Sequence, residues 1–354
     1  MNYPLITADL VKLKHNIDKL CALCHANGLT MAAVTKCVCA QPRITELINT
    51  TDVDFIADSR ILNLAGIMTD KPRMLIRIPM PGEVQDVVAN SEISLNSEIA
   101  TIRLLGEAAK AQRRRHRIVL MVDMGDLREG VFFGDEAAII KTAAAVLDFP
   151  ELELYGVGVN LTCFGGIMPD KTNLGGLIMI TERLRERFSI PIPMVSGGNS
   201  STMGMICAGE VPKGITNLRI GEAYLLGSDT SVGRLMDGYY GDAFTLSAAL
   251  VEVQRKPSFP IGKAGANAFG EQVAFIDKGE MLRGILALGR QDTNTDGLVP
   301  RDKRIDILGG SSDHTILDLT RASEYRVGDT VDFTPDYGAL LKAYTGRYIQ
   351  KQYK

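Results

Sequence analysis

Short apolar runs alternate with helical periods over the first two thirds of the chain. The helical segments, such as residues 97–112 and 135–147, place apolar residues at three- and four-residue spacing. Eight apolar runs are predicted as strands, at residues 30–35, 53–57, 74–78, 93–95, 118–123, 154–160, 193–196 and 218–220. Eight alternations of this length favour an α/β fold with a parallel, TIM-like (β/α)8 barrel over an open doubly wound sheet. A further helix over residues 9–26 is predicted before the first barrel strand.

The pattern changes after about residue 237. Helical periods stop, and short alternating runs separated by Gly, Pro and Asp follow at residues 246–253, 273–276, 284–288, 304–308 and 315–319. Strands at such spacing are typical of an all-β domain. The sequence therefore predicts a barrel domain over residues 1–237 and a C-terminal β domain over residues 238–354.

Composition and charge narrow the class of protein. The chain has 354 residues, 45% of them hydrophobic, and a net charge of −3, which gives no reason to expect a nucleic-acid partner. Its one basic run is interpreted as a solvated helix end and consists of Arg113, Arg114, Arg115 and Arg117. No apolar run approaches the length of a membrane span, and the first residues lack the apolar segment of a secretory signal. We expect a cytoplasmic protein without a membrane partner.

Cysteine and histidine spacing argues against a dedicated metal site. Cys21 and Cys24 form a Cys-x-x-Cys pair, but they follow a helical period and no second pair exists, so we expect core packing rather than redox or metal chemistry. The four histidines show neither His-x-His nor HExxH spacing. No metal is predicted.

Polar residues follow several of the predicted barrel strands, where a barrel enzyme collects its active site. Lys36 ends the first strand, and a desolvated lysine amine is suited to Schiff-base formation. The glycine- and serine-rich stretch 196–201 follows the seventh strand and offers hydroxyl and N–H groups to a phosphate. Arg219 lies within the eighth strand. Taken alone, Lys36 could be a surface lysine, the stretch 196–201 a tight turn, and Arg219 part of a structural salt bridge. The three together favour a cofactor site.

These residues resemble motifs of the alanine racemase family of fold-type III pyridoxal-phosphate (PLP) enzymes, in particular its ornithine/alanine racemase-like branch. The resemblance covers nearly the whole chain. The matching segments are Val34-Thr35-Lys36, Asp58-Ser59-Arg60, the stretch 123–130 with Arg128, Asn199-Ser200, Arg219-Ile220-Gly221-Glu222 and Ser311-Ser312-Asp313-His314.

The resemblance implies a role for each matched residue. Lys36 would form the Schiff base with PLP, and Arg219 would face the pyridine nitrogen. The phosphate would be bound by Asn199, Ser200 and the backbone N–H groups of Gly221 and Glu222. The residues implied in substrate binding are Arg128, Asn160 and Ser312. The family's head-to-tail homodimer implies that Asp313 and His314 reach the partner subunit's site.

Two positions depart from the family pattern. A catalytic tyrosine precedes a glycine early in the β domain of alanine racemases, whereas this chain has Ala268-Phe269-Gly270, and Phe269 cannot accept a proton. Asn160 stands at the end of the sixth strand, where the family usually has a histidine. Lys36 remains the expected base on one face of the substrate, and we predict Asp313, acting with His314, as the second. Cys37 or a bound water is the alternative.

The predicted function is PLP-dependent racemisation of a free amino acid, with ornithine, lysine and alanine among the possible substrates. The distal ammonium of a diamino acid needs an acidic partner, and Asp126, Glu129 and Asp292 are available. The alternatives are a PLP-dependent aldolase or dehydratase acting on a D-amino acid, a PLP-carrier protein, and a non-catalytic phosphate-binding barrel. The β domain argues against a carrier protein, which would end after the barrel.

Overall fold

The computed structural model describes residues 3–263, 265–266, 269–272 and 276–354. The chain divides into two compact units. The barrel unit comprises residues 12–241, and the sheet unit comprises the described residues up to Val11 together with those from Asp242 onwards.

Strands and helices of the described chain are numbered in chain order. The strands are β1 (Leu5–Ala8), β2 (Thr30–Val34), β3 (Phe55–Asp58), β4 (Arg73–Leu75), β5 (Ile93–Asn96), β6 (His116–Asp123), β7 (Val131–Phe132), β8 (Leu152–Gly158), β9 (Met194–Ser196), β10 (Asn217–Ile220), β11 (Ser228–Asp229), β12 (Arg234–Leu235), β13 (Phe244–Pro257), β14 (Glu280–Leu286), β15 (Leu298–Pro300), β16 (Asp306–Gly310), β17 (Thr315–Asp318), β18 (Thr330–Pro335) and β19 (Gln350–Tyr353). The helices are α1 (Leu10–Ala26), α2 (Pro42–Asn49), α3 (Ile61–Ala65), α4 (Val84–Asn90), α5 (Ile99–Gln112), α6 (Glu136–Leu147), α7 (Lys171–Phe188), α8 (Met203–Cys207), α9 (Glu222–Leu226) and α10 (Tyr337–Thr345).

Eight parallel strands of the described chain close into a barrel in the order β2, β3, β4, β5, β6, β8, β9 and β10, and β10 pairs again with β2. Helices follow most of these strands, so the strands are covered on both faces and their residues are almost all buried. A core cluster is made mainly of strand residues: Ala32, Val34, Phe55, Ala57, Met74, Ile93, Leu95, Val119, Met121 and Met194. Because this cluster packs the barrel, polar groups are left to its ends.

The sheet unit is built around the long strand β13. This strand pairs with β1, β14 and β18, all antiparallel, and shifts register between Leu250 and Glu252. The sheet continues from β14 to β17 and β16 on one side and from β18 to β15 on the other. The strand β19 pairs with β1 in the parallel sense.

The predicted barrel is confirmed, with each of the eight predicted strands present, and the C-terminal antiparallel sheet is confirmed as well. Two details differ from the prediction. The first strand, Leu5–Ala8, pairs within the sheet unit although its residues were assigned to the barrel, and the helix Tyr337–Thr345 lies in a domain expected to be all β. The boundary between residues 237 and 238 stays a prediction. Most of the strand predicted over 273–276 lies outside the described residues.

Candidate active site

Lys36 follows the carboxyl end of β2 and begins a 3-10 turn, Lys36–Val38. The strand end is held by two contacts. The fully buried Tyr224 donates its hydroxyl to the Val34 carbonyl at 2.9 Å, and the Thr35 N–H donates to the Ala57 carbonyl at 2.8 Å. Thr35 leaves the extended conformation, with φ −94° and ψ −2°, so the chain turns here. Lys36 is half-buried on a backbone that neighbouring elements hold in place.

Asp58 supports the same turn from the end of β3. Its buried carboxylate accepts hydrogen bonds from the Thr35 hydroxyl at 2.7 Å, the Arg60 N–H at 2.9 Å and the Asn63 side chain at 3.0 Å. Burial raises the pKa of Asp58, although these hydrogen bonds oppose the shift. The Asp58-Ser59-Arg60 segment therefore joins the strand that precedes Lys36 to its neighbour.

A loop of small residues connects β9 to the short helix α8. Gly198 has φ +112°, a conformation that glycine adopts without strain, and a side chain there would meet the Thr202 hydroxyl at 3.0 Å. The Asn199 side chain accepts the Ser201 N–H at 2.8 Å and donates to the Leu161 carbonyl at 3.0 Å. The Ser201 hydroxyl is buried and has no hydrogen-bond partner among the described residues. An unpaired buried hydroxyl is costly, and it is suited to donate to an anion.

The turn after β10 lies against this loop. The Ser200 hydroxyl accepts the Gly221 N–H at 3.3 Å and the Ala223 N–H at 3.2 Å, so the two segments predicted to bind phosphate are adjacent. Gly221 is close to Val34, because a side chain there would meet the Val34 Cβ at 3.3 Å. The unpaired Ser201 hydroxyl and the two glycine turns fit a phosphate group at this end of the barrel.

Arg219 lies in β10 beside Ala32 of β2 and is 3% exposed. Its Nη1 donates to the Ser196 hydroxyl, and its Nη2 donates to the Val159 carbonyl at 2.7 Å and to Asn160 Oδ1 at 2.8 Å. Burial lowers the pKa of Arg219 to about 10, so the guanidinium stays charged near neutral pH. Its described partners use three of its five N–H groups, which leaves donors for an acceptor such as a pyridine nitrogen.

Two predicted substrate-binding residues meet at Glu129. Asn160, which follows β8, donates its side-chain N–H to Glu129 Oε1. Arg128 Nε lies 3.0 Å from Glu129 Oε2, and the side chains of Arg128 and Glu129 are 42% and 17% exposed. The structure thus brings Arg128, Asn160 and Arg219 into one network through Glu129.

Asp126 has a structural environment. Its fully buried carboxylate accepts backbone hydrogen bonds from Cys163 at 3.1 Å, Phe164 at 2.9 Å and Ile167 at 3.1 Å. These bonds join the loop after β6 to the loop after β8. A carboxylate with three N–H partners is a poor candidate for a substrate ammonium.

Ser312, Asp313 and His314 precede β17 in the sheet unit. His314 Nδ1 lies 3.4 Å from Asp313 Oδ1, and both side chains are about half exposed. The Ser312 carbonyl accepts the Gln291 N–H at 2.8 Å. The pair borders a cavity of about 350 Å³ lined by Pro4, Ala287, Gln291, Asp292, Asp313, His314 and Tyr348. Asp292, the third ammonium candidate, is 6% exposed and accepts the Gly289 N–H at 3.0 Å.

Three other predicted features have defined surroundings. Phe269 lies under the Arg290 guanidinium, 4.4 Å from ring centroid to Cζ, whereas its neighbour Ala268 lies outside the described residues. Cys37 is buried, which raises the pKa of its thiol and makes it a poor proton acceptor. Cys21 and Cys24 are buried in α1, and burial raises their pKa values to about 11 and about 12.

Two kinds of feature are absent from the described residues, a metal-binding cluster and a membrane-spanning helix. Among these residues, no group of three or more His, Cys, Asp or Glu side chains is arranged to hold a metal ion. No helix within the same ranges combines the length and the hydropathy needed to cross a membrane.

Residues 8–228 match the family model for the alanine racemase N-terminal domain. The chain belongs to the alanine racemase family.

Full-length relatives define the activity of this family member. Ornithine racemase of Acetoanaerobium sticklandii is 44% identical over 352 residues, 99% of either chain. Lysine racemase of Thermotoga maritima is 35% identical over 359 residues, covering 100% of this chain and 99% of the relative. The chain is accordingly an amino-acid racemase, an isomerase, and the aldolase, dehydratase and carrier alternatives are not favoured.

A solved structure supports the fold of this racemase. Alanine racemase of Clostridium difficile 630 superposes with a TM-score of 0.74, covering 100% of this chain and 96% of its own at 14% identity. At this identity the likeness is evidence for the fold alone.

Some residues of the racemase site were not predicted from its sequence. Sequence reasoning misses Tyr224, which donates to the strand end before Lys36. It places Ser196 in the phosphate-binding stretch, whereas the Ser196 hydroxyl accepts from Arg219, and it offers Glu129 only as a partner for an ammonium. Tyr224 looks like an ordinary core residue until α9 is placed against β2.

Proposed function

We propose that this racemase uses pyridoxal phosphate, held by Lys36, to interconvert the enantiomers of a basic amino acid such as ornithine or lysine. The observation that carries the proposal is the convergence of three features on the neighbouring strands β9, β10 and β2. They are the small-residue loop with the unpaired Ser201 hydroxyl, the buried Arg219 and the half-buried Lys36. When bound, pyridoxal phosphate acidifies the Cα–H of an attached amino acid by delocalising negative charge.

The chain's own groups would divide the remaining work. Ser200, Ser201, Asn199 and the N–H groups of the Gly221-Glu222 turn would bind the phosphate. Arg219 would donate to the ring nitrogen, and since a guanidinium can only donate, that nitrogen would stay unprotonated. Arg128, Asn160 and Ser312 are proposed to bind the substrate.

Racemisation requires proton transfer on both faces of the Cα atom. The Nζ of Lys36, once released from the cofactor, would take or return the proton on one face. Asp313 and His314 of the partner subunit would serve the other face in a head-to-tail homodimer. The 3.4 Å separation of His314 Nδ1 and Asp313 Oδ1 supports this proposal, because it places an imidazole beside a carboxylate, two groups that serve as general acids and bases.

The preference for a basic substrate rests on the named activities of the two relatives and on the state of the acidic residues. Asp126 has three backbone donors and Glu129 has two side-chain partners, whereas Asp292 accepts one N–H, that of Gly289, and borders the cavity of the sheet unit together with Asp313. We propose Asp292 as the partner of the distal ammonium. The free thiols of all six cysteines are consistent with a cytoplasmic location.

The test is to locate the bound cofactor chemically. Purified protein incubated with pyridoxal phosphate is reduced with borohydride, and peptide mass mapping identifies the modified lysine. We expect the modified residue to be Lys36. In Lys36→Ala, both this modification and the racemisation of ornithine and lysine should be lost. The control Lys14→Ala, which removes an exposed lysine paired with Asp18, should retain both. Modification of a different lysine, with activity retained in Lys36→Ala, would refute the assignment.

A further inference from the structure

Four polar side chains at the carboxyl end of the barrel form a continuous series that is linked by two hydrogen bonds and one ion pair. Arg219 Nη2 donates to Asn160 Oδ1 at 2.8 Å, Asn160 Nδ2 donates to Glu129 Oε1, and Arg128 Nε lies 3.0 Å from Glu129 Oε2. A guanidinium can only donate and a carboxylate can only accept. The orientation of the Asn160 amide is therefore determined at both ends, with its oxygen towards Arg219 and its nitrogen towards Glu129.

The series needs a carboxylate at position 129. Both partners of Glu129 are donors, and a glutamine in its place could accept from only one of them. Its amide nitrogen would then face a second donor, and either Arg128 or Asn160 would lose its partner. If Asn160 turned over to compensate, it would present N–H groups to Arg219.

Arg219 has no acidic hydrogen-bond partner of its own among the described residues. Its acceptors there are the Ser196 hydroxyl, the Val159 carbonyl and the Asn160 side chain, which are all neutral. Because the guanidinium is 3% exposed, water compensates little of its charge. Glu129, one side chain further away and 17% exposed, is the carboxylate of this four-residue series.

We propose that Glu129 is a positioning residue, which acts through Asn160 to keep Arg219 oriented and charged at the cofactor site. The role of Arg219 at the cofactor rests on the proposed function. The coupling of Glu129, Asn160 and Arg219 does not depend on a bound cofactor. It gives Asn160 a second role, the support of Arg219, in addition to the substrate contact proposed above.

The charged and titratable groups around Arg219 determine the expected effect of pH. Burial lowers its pKa to about 10, Glu129 and Cys163 raise it, and Arg128 lowers it. Lys36 follows the carboxyl end of the neighbouring strand β2. Burial and Arg128 lower the pKa of Arg219, and the charge of Glu129 opposes them. Without that charge, Arg219 should lose its proton at a lower pH.

The first experiment measures the affinity of the cofactor-free protein for pyridoxal phosphate from pH 7 to pH 11. In Glu129→Gln we expect the loss of affinity at high pH to move down by about one pH unit, the size of shift that one nearby charge produces. Glu129→Asp should shift less, because it keeps the charge. Glu153→Gln is the matched control, since Glu153 pairs with Arg117 at 3.2 Å elsewhere in the barrel unit. An unshifted profile in folded Glu129→Gln would overturn the proposal.

The second experiment uses the protein without cofactor. Urea unfolding is compared for Glu129→Gln, Asn160→Ala and the double variant. If Glu129 acts through Asn160, the free energy of unfolding of the double variant should be no lower than that of the less stable single variant. Additive losses would refute the coupling. Failure of the wild type to bind pyridoxal phosphate would instead refute the proposed function, and this unfolding comparison would still decide the role of Glu129.

Discussion

The carboxylate of Asp126 accepts the backbone N–H of Phe164 at 2.9 Å and thereby joins two loops that are 38 residues apart in the chain. Cys163 and Ile167 donate to the same carboxylate, and the Gly165 N–H donates to the Asp126 carbonyl at 3.1 Å. The loop between β8 and α7 is thus shaped by a residue of the preceding βα loop. Each loop carries a residue of the proposed site, Arg128 in the first and Asn160 in the second.

We predict that Asp126→Ala destabilises the protein by about 3 kcal/mol, because three N–H groups lose a buried acceptor. Asp135→Ala is the control, since Asp135 accepts one N–H, that of Ala138, at the start of α6 and its loss should cost about 1 kcal/mol. Urea unfolding measures both, and hydrogen exchange should quicken at residues 163–167 in Asp126→Ala alone. Equal costs with unchanged exchange would contradict this account.

A second prediction concerns the pH dependence of stability at Asp58. Burial raises its pKa in the folded protein, so its ionised form costs stability near neutral pH, and the cost fades as the pH falls through the folded pKa. The oxygen of an asparagine side chain at this position could still accept from Arg60 and Asn63. Its amide nitrogen could donate to the Thr35 hydroxyl, because that hydroxyl can itself donate to the Ala57 carbonyl. We therefore expect Asp58→Asn to be at least as stable as the wild type at pH 8, with an advantage that shrinks towards pH 4.

Calorimetric Tm values at pH 8, 6 and 4 test this sign, with Asp302→Asn as the contrast. Hydrogen bonding from Arg304 lowers the pKa of Asp302 to about 2, so this variant should lose stability by a constant amount between pH 8 and pH 4. An Asp58→Asn protein that is less stable than the wild type at pH 8 would show that the ionised carboxylate is favourable.

The third prediction tests the charge of Arg219. In Arg219→Glu a carboxyl group would replace the donor, so a pyridine nitrogen at this place should become protonated. We expect keto-acid formation to rise relative to racemisation, measured as the ratio of the two products from ornithine. Arg219→Gln, which carries no charge, should lie between the two proteins. An unchanged ratio with cofactor bound would mean that Arg219 does not contact the ring.

The fourth prediction concerns the second base. Since Phe269 cannot carry a proton, Asp313→Asn should lower racemisation by about 10²-fold or more, the contribution typical of a positioned general base. Exchange of the Cα–H in heavy water should persist for one enantiomer, because in the proposed mechanism Lys36 would still serve its own face. His314→Gln should show the same asymmetry if the pair acts together. Normal racemisation by both variants would place the second proton donor elsewhere.

Much of the fold was predictable from local patterns. Eight apolar runs with helical periods between them are sufficient to indicate the barrel, because strands covered on both faces must be apolar along their length. The same patterns place Lys36, Asn160 and the 196–201 loop at strand ends, where a barrel collects polar groups. The sequence also favoured a racemase, through motifs whose residues lie far apart in the chain.

Other features were decided by tertiary structure alone. Leu5–Ala8 reads as part of the barrel domain, yet its edge hydrogen bonds are completed by β13 and β19, which lie in the last third of the chain. Asp126 and Glu129 look equally available for an ammonium, but the folded chain surrounds Asp126 with backbone donors and places Glu129 between Arg128 and Asn160. Whether a carboxylate is free or engaged depends on which donors folding brings within about 3 Å of it. The spacing of residues along the chain does not determine that distance, because the donors come from other segments.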